Sequence, residues 1–250
     1  MFRIGSVPYL NSLPLTCGLE AETRFAPPSE LARLLQREEL EAALVSVTEV
    51  LLSDRYEVLD GVAIGSDGPV RSVVLAHRVP LNEVRAVHCD PASLTSVNLL
   101  KVLLAEHRLA ARFVPLTDYR LAAELDAVLL IGDRALDFSL TGHPHTVWDL
   151  GEAWRGMTGL PFVFAVWALR RGAHAAADRA RLREAKRRGL AELDRLIAAW
   201  PAYTPEFRKR YLTENVRFDL GPAEKAGLER FAELLARHQT GRVHPVRFVA

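Results

Sequence analysis

The chain has 250 residues, 49% apolar and 25% charged, a balance that supports a buried core and excludes an intrinsically disordered or low-complexity polymer. Thirty-two basic residues against thirty-one acidic ones leave a net charge of +1, so no global bias points to nucleic acid or an anionic membrane. No apolar run is long enough to span a bilayer, and Met1 leads straight into a strand-like segment without the regions of a secretory leader, so a cytoplasmic location is expected.

Short apolar runs alternate with helical patterns, the signature of mostly parallel sheets flanked by helices. Arg3 to Val7 reads as the first strand, closed by Pro8. After Pro27-Pro28-Ser29, Leu31, Leu34 and Leu35 share one helical face. Strands follow at Ala42 to Val45, Val62 to Ile64, Ser72 to Ala76 and Arg85 to Cys89. Ser93 or Thr95 caps a helix that buries Val97, Leu100 and Leu104. Asp126 to Ile131 reads as a strand covered on both faces, and Pro161 to Leu169 as another. His174 to Trp200 is one long helical pattern with Leu182, Leu190, Leu193 and Ile197 on a stripe and many arginines on its solvated face. Thr204 starts a shorter helix, and Pro222 to His238 a third, with Leu228, Phe231 and Leu235 inward.

No flexible linker divides the chain, so two lobes would be joined by strands crossing at Val73 to Arg78 and Val163 to Arg170. The expected lobes are 1–78 with 168–250, discontinuous, and 79–167, inserted. Clefts between such lobes are where ligands sit. Cys17 and Cys89 lack metal-ligand spacing and read as two buried thiols. His143 and His145 lie in an exposed-loop sequence with no third ligand nearby, so no metal is expected.

In open parallel sheets ligands bind beyond the carboxyl ends of strands. Those positions here carry Tyr9, Asn11 and Ser12; Ser46 and Thr48; Gly65 to Ser72; Asp90 to Ser96; and Gly132 with Asp133. They are rich in hydroxyls, amides and glycines and poor in histidine, lysine and glutamate. Neutral donors at helix N-termini suit a carboxylate or phosphate. Ser93 to Ser96 serves equally as such a site or as a plain helix cap, Asn11 as a ligand or a turn residue, and Asp133 as a site or structural group. No phosphate-binding loop, dinucleotide fingerprint or nucleophile elbow is present.

A combination of segments is more specific. It comprises Gly5 to Leu15 (GSVPYLNSLPL), Ala43 to Ser46 (ALVS), Gly68 to Val73 (GPVRSV), Thr95 to Val97, Leu129 to Asp133 (LLIGD), Asp149 to Trp154 (DLGEAW) and Thr158 to Trp167 (TGLPFVFAVW). In this order it resembles the chorismate dehydratases of the futalosine route to menaquinone, over the chain to about Arg171. Glu41 and Thr16 depart from the family's usual aspartate and aromatic residue.

The resemblance implies the two-lobed α/β fold of type II periplasmic solute-binding proteins, used as an enzyme in the cytosol without a cofactor. It implies loss of water from chorismate to give 3-[(1-carboxyvinyl)oxy]benzoate, with chorismate as the small-molecule partner and neither nucleic acid nor membrane engaged. The family's functional asparagine falls on Asn11 and its serine on Ser72. Chorismate carries two carboxylates, and its enolpyruvyl carboxylate can take the ring proton if held in reach. Asn11 and Ser72 are expected to hold that carboxylate and the departing hydroxyl, and Thr95 and Ser96 the second carboxylate. Tyr9, Ser46, Gly68, Val70, Asp133 and Phe164 are expected to complete the substrate site. The alternatives are a solute-binding protein for a small carboxylate, the pathway's dihydroxynaphthoate synthase, which relies on a histidine base, and a ligand-sensing module, which would want a DNA-binding segment.

Overall fold

Strands and helices alternate along the chain in the computed structural model, which describes residues 2–90, 92, 94–238 and 242–250. Strand β1 (Ile4–Ser6) leads through a 3-10 turn (Leu10–Leu15) to β2 (Thr23–Phe25) and helix α1 (Pro28–Gln36). Then come β3 (Ala42–Ser46), α2 (Val47–Leu51), β4 (Tyr56–Ser66), β5 (Val73–His77), β6 (Ala86–Cys89) and α3 (Leu94–Glu106). The middle of the chain continues with β7 (Arg112–Pro115), β8 (Ala127–Ile131), α4 (Gly132–Leu140), β9 (Thr146–Asp149), α5 (Leu150–Thr158) and β10 (Phe162–Arg170). The tail holds α6 (Ala176–Ala191), α7 (Leu193–Ala199), α8 (Pro205–Arg210), a π-helical turn (Tyr211–Asn215), α9 (Pro222–His238) and β11 (Phe248–Val249).

The first sheet has the order β11-β4-β10-β3-β1-β2 and the second β7-β6-β8-β5-β9. Both are mixed. β1 runs parallel to β2 and β3, and β6 parallel to β7 and β8. β10 and β5 are antiparallel to both of their neighbours. These two strands enter from the opposite sheet, so no strand-helix-strand crossover forces them parallel.

The chain changes sheet between Ser66 and Val73 on the way out and between Thr158 and Phe162 on the way back. β5 therefore belongs to the second sheet and the whole of β10 to the first, whereas the lobe limits expected from the sequence place 73–78 in the first and 162–167 in the second. Apolar runs locate the strands; they do not name the pairing partners.

All five residues of β8 are buried, as a strand covered on two faces requires. Leu31, Leu34 and Leu35 of α1 pack inward as expected. At the return crossing the rings of Trp154, Phe162 and Phe231 meet edge-on with centroids 5.0–6.0 Å apart, joining α5, β10 and α9. The Trp154 indole N–H donates to the Pro161 carbonyl at 3.1 Å. One apolar core runs from Ile4 in the first sheet to Leu129 in the second, so the two halves share buried surface.

The pattern from His174 to Trp200 is two helices, broken at Glu192 (φ −100°, ψ 17°). Leu182 and Ile197 of the expected stripe are buried, but Leu190 is 39% exposed, and Ala185 and Gly189 face inward in its place. The cause is the 3-10 turn, which presses so closely on α6 that a Cβ on Gly189 would stand 2.0 Å from the Pro14 carbonyl oxygen. His145, expected in an exposed loop, is buried, with Nε2 2.7 Å from the Leu125 carbonyl and its ring against Phe138. Cys17 and Cys89 are buried free thiols. Among the described residues no helix is long and apolar enough to cross a membrane.

Candidate functional site

A hollow opens where the ends of β1, β3 and β8 meet the start of β5 and the first turns of α3 and α4. Tyr9, Asn11, Ser46, Val70, Ser72, Thr95, Ser96 and Phe164 all line it, together with Gly132 and the apolar Val7, Leu44, Ile64, Val73 and Ile131. Residues from both sheets therefore line it together. Among the described lining residues there is no Asp, Glu, His, Lys or Arg.

Asn11 is carried by the 3-10 turn, which follows from local bonding. Ser12 N–H donates to the Tyr9 carbonyl at 3.0 Å, and the Ser12 hydroxyl donates to the Val7 carbonyl at 2.6 Å. Across the cleft, the Leu10 N–H donates to Asp133 Oδ1 at 3.3 Å. Asp133 thus faces the back of the turn and does not line the hollow. Burial pushes its carboxyl up to about 6, opposed by that Leu10 N–H.

Ser72 sits where the chain enters the second sheet, held by a clamp. The carboxylate of Asp149 accepts from Val70 N–H (3.1 Å), Arg71 N–H (2.6 Å), Gly151 N–H (2.9 Å) and Glu152 N–H (3.1 Å). It caps α5 and simultaneously fixes Arg71 in the left-handed region, φ 66°. Gly68 does not line the hollow; its carbonyl lies 2.6 Å from where a Cβ on Gly151 would stand, packing the turn onto the start of α5.

The walls touch elsewhere too. The hydroxyls of Ser46 and Thr95 hydrogen-bond to each other, and Thr48 N–H donates to Thr95 Oγ1 at 3.1 Å. Thr95 therefore joins α2 to α3 rather than capping its own helix; Ser93, the other expected cap, lies outside the described residues. Gly132 adopts φ 57°, and a Cβ there would meet the Tyr9 ring at 3.1 Å, so glycine permits this approach. Burial pushes the Tyr9 phenol up to about 12.

Sequence reasoning missed Tyr211. It is 2% exposed and reaches the back of the site from the tail. Its hydroxyl donates to Ser72 Oγ at 2.7 Å and accepts from Asn11 Nδ2 at 3.3 Å. The available signal was the pair Phe207 and Tyr211, four positions apart and so on one helical face. Phe207 and Tyr211 do stack, with centroids 6.2 Å apart.

The arrangement suits an anion of modest size. Hydroxyl and amide donors and the first turns of α3 and α4 converge on a space with apolar walls, and helix N-termini favour negative charge. The described lining offers hydroxyl and amide groups and no carboxylate, imidazole, ammonium or guanidinium.

Two mixed sheets flanked by helices and meeting at a hollow make an α/β fold like that of periplasmic solute-binding proteins. A crystal structure of a protein from Archaeoglobus fulgidus shares the fold with a TM-score of 0.76 and 18% identity, over 94% of this chain and 96% of that one. The periplasmic aliphatic sulphonate binding protein of Escherichia coli does so at 0.64 and 16%, over 100% and 93%. The family profile described as menaquinone biosynthesis matches residues 2–237. The chorismate dehydratase of Thermus thermophilus is 35% identical over 258 residues, spanning 94% of this chain and 95% of that protein. The chain belongs to the menaquinone-biosynthesis family.

Proposed function

We infer that this chain is a chorismate dehydratase, a lyase that removes water from chorismate to give 3-[(1-carboxyvinyl)oxy]benzoate at the start of futalosine-route menaquinone synthesis. The observation that carries the assignment, given the family, is a hollow lined by neutral hydrogen-bonding groups from both sheets, with no Asp, Glu, His, Lys or Arg among its described lining residues. A substrate with two carboxylates finds donors there, and a substrate that brings its own base needs none from the protein.

Asn11 and Ser72 hold the reacting end, the enolpyruvyl carboxylate and the departing hydroxyl. Thr95 and Ser96, in the first turn of α3, anchor the ring carboxylate with Ser46 beside them. Tyr9 and Phe164 flank the ring, and Val70 closes the wall. Asp133 and Gly68 support the site from behind. The C3 proton passes to the enolpyruvyl carboxylate, the C4–O bond breaks as the ring becomes aromatic, which drives the step, and the departing oxygen takes a proton to leave as water. Holding base and proton within reach contributes up to about 7 kcal/mol. The two sheets with their helices act as lobes, 1–66 with 162–250 and 73–158, and the protein works in the cytoplasm. The absence of histidine from the described lining disfavours the dihydroxynaphthoate synthase alternative.

Purified protein mixed with chorismate should form the aromatic enolpyruvyl ether, read by mass spectrometry. Binding of chorismate without turnover would make the chain a solute-binding protein instead. Near-normal turnover in both Asn11→Ala and Ser72→Ala would remove those two residues from the reaction.

A further inference from the structure

We propose that Tyr211 is a positioning residue that orients Ser72 and Asn11 to grip a single hydroxyl group, Ser72 donating to its oxygen and the Asn11 carbonyl accepting its hydrogen. The proposal rests on the dehydratase assignment and narrows it: of the two groups given to this pair above, the departing hydroxyl is the one it grips, and the enolpyruvyl carboxylate is left to neighbouring donors.

The direction of each bond follows from counting hydrogens. Tyr211 Oη stands 2.7 Å from Ser72 Oγ and 3.3 Å from Asn11 Nδ2. A phenol has one hydrogen to give. The Asn11 amide already donates to it, so that hydrogen goes to Ser72. Burial raises the Tyr211 phenol above its ordinary value and keeps the hydrogen in place. Ser72 has received one bond and must spend its own hydrogen elsewhere. The Val70 carbonyl, at 3.5 Å, is a poor acceptor at the limit of a hydrogen bond. Because Ser72 lines the hollow, its hydrogen is available to a ligand oxygen.

Asn11 is complementary. Its Nδ2 is committed to Tyr211, while its Oδ1 is buried and has no partner among the described residues. A buried carbonyl left without a donor is unfavourable, so a ligand donor belongs there. A carboxylate accepts and cannot donate; a hydroxyl does both. One donor and one acceptor side by side match a hydroxyl. As its C–O bond breaks and the oxygen gains charge, the Ser72 bond strengthens, which is stabilisation specific to the transition state.

The test is Tyr211→Phe, which keeps the ring and removes the relay. With chorismate as substrate, kcat should fall roughly tenfold to a hundredfold with KM within about threefold. The product, which lacks the departing hydroxyl, should bind the variant as tightly as the wild type, within about twofold. In a Ser72→Ala background Tyr211→Phe should cost less than it does in the wild type, because the part of its effect that passes through Ser72 is already lost and only the bond to Asn11 remains. Full activity in Tyr211→Phe, or additive losses in the double variant, would overturn the relay while leaving the dehydratase assignment intact. A wild-type protein that leaves chorismate unchanged would instead refute the assignment itself. Should Tyr211→Phe fail to fold, the Tyr211 hydroxyl proton is observed by NMR in wild-type protein with labelled tyrosine. Ser72→Ala must shift that resonance, and an unmoved signal overturns the proposal.

Discussion

Gly189→Ala sets local propensity against tertiary packing, and the two predict opposite signs. Gly189 lies in the last turns of α6, where alanine is favoured over glycine by about 1 kcal/mol. On propensity alone the substitution stabilises the protein. The structure places the new Cβ 2.0 Å from the Pro14 carbonyl oxygen and 2.5 Å from the Pro14 Cα, both backbone atoms that cannot rotate away. Either α6 or the 3-10 turn must retreat by more than an ångström. Overpacking costs about 1–3 kcal/mol, and opposition by rigid backbone puts this case at about 3, leaving a net loss of about 2 kcal/mol once propensity is credited. For a chain of this size that lowers Tm by about 4–8 °C. Pro14 and Asn11 share one short turn, so a retreat also displaces Asn11 from the hollow. A shift of about 1 Å in a positioning group reduces turnover by roughly a hundredfold. Thermal melts followed by circular dichroism and chorismate turnover on the same preparations measure both effects. A Gly189→Ala protein that melts at or above the wild-type temperature with undiminished turnover would refute this account of how the tail supports the turn.

Three further outcomes follow from the same geometry. Because burial raises the Asp133 carboxyl from 3.8 to about 6, the folded state holds its proton more tightly than the unfolded chain. Its ionisation therefore reduces stability as pH rises from about 4 to 6, and the loss persists above that range. Asp133→Asn, which keeps an acceptor for Leu10 N–H, should gain about 1–2 kcal/mol at pH 7, discounted for partial exposure, and almost nothing at pH 4; urea titrations at the two values decide it. Asp149→Ala strips four backbone N–H groups of their acceptor, two of them on buried residues, and should cost about 3–5 kcal/mol and release Ser72. Denaturant unfolding with an unchanged midpoint would show that the clamp is dispensable. Thr95→Val keeps the shape but removes the partner of the Ser46 hydroxyl and the acceptor for Thr48 N–H, so KM for chorismate should rise about tenfold, as read from initial rates.

Much of the site could be read from the chain because strand ends are local features. Pro8 closing a strand and Ser46 ending another announced themselves by residue type and position, and the polar tips of β1, β3 and β8 do converge on one hollow. The same applies to the aliphatic face of α1 and the fully buried β8, where periodicity and apolar content reflect burial directly.

What the sequence by itself determined was where elements lie, that they alternate as α/β, and which polar residues stand at their ends, since these depend on neighbours a few positions apart. Only the tertiary structure decided which sheet β5 and β10 join, that Asp133 turns from the hollow toward Leu10, and that Tyr211 arrives behind Ser72 from 139 residues away. Partner choice across such separations depends on which surfaces bury each other once the chain has closed, and no local pattern carries that information. Gly189 shows the same limit. A helix position that favours alanine by propensity is held to glycine by a carbonyl more than 170 residues earlier in the chain.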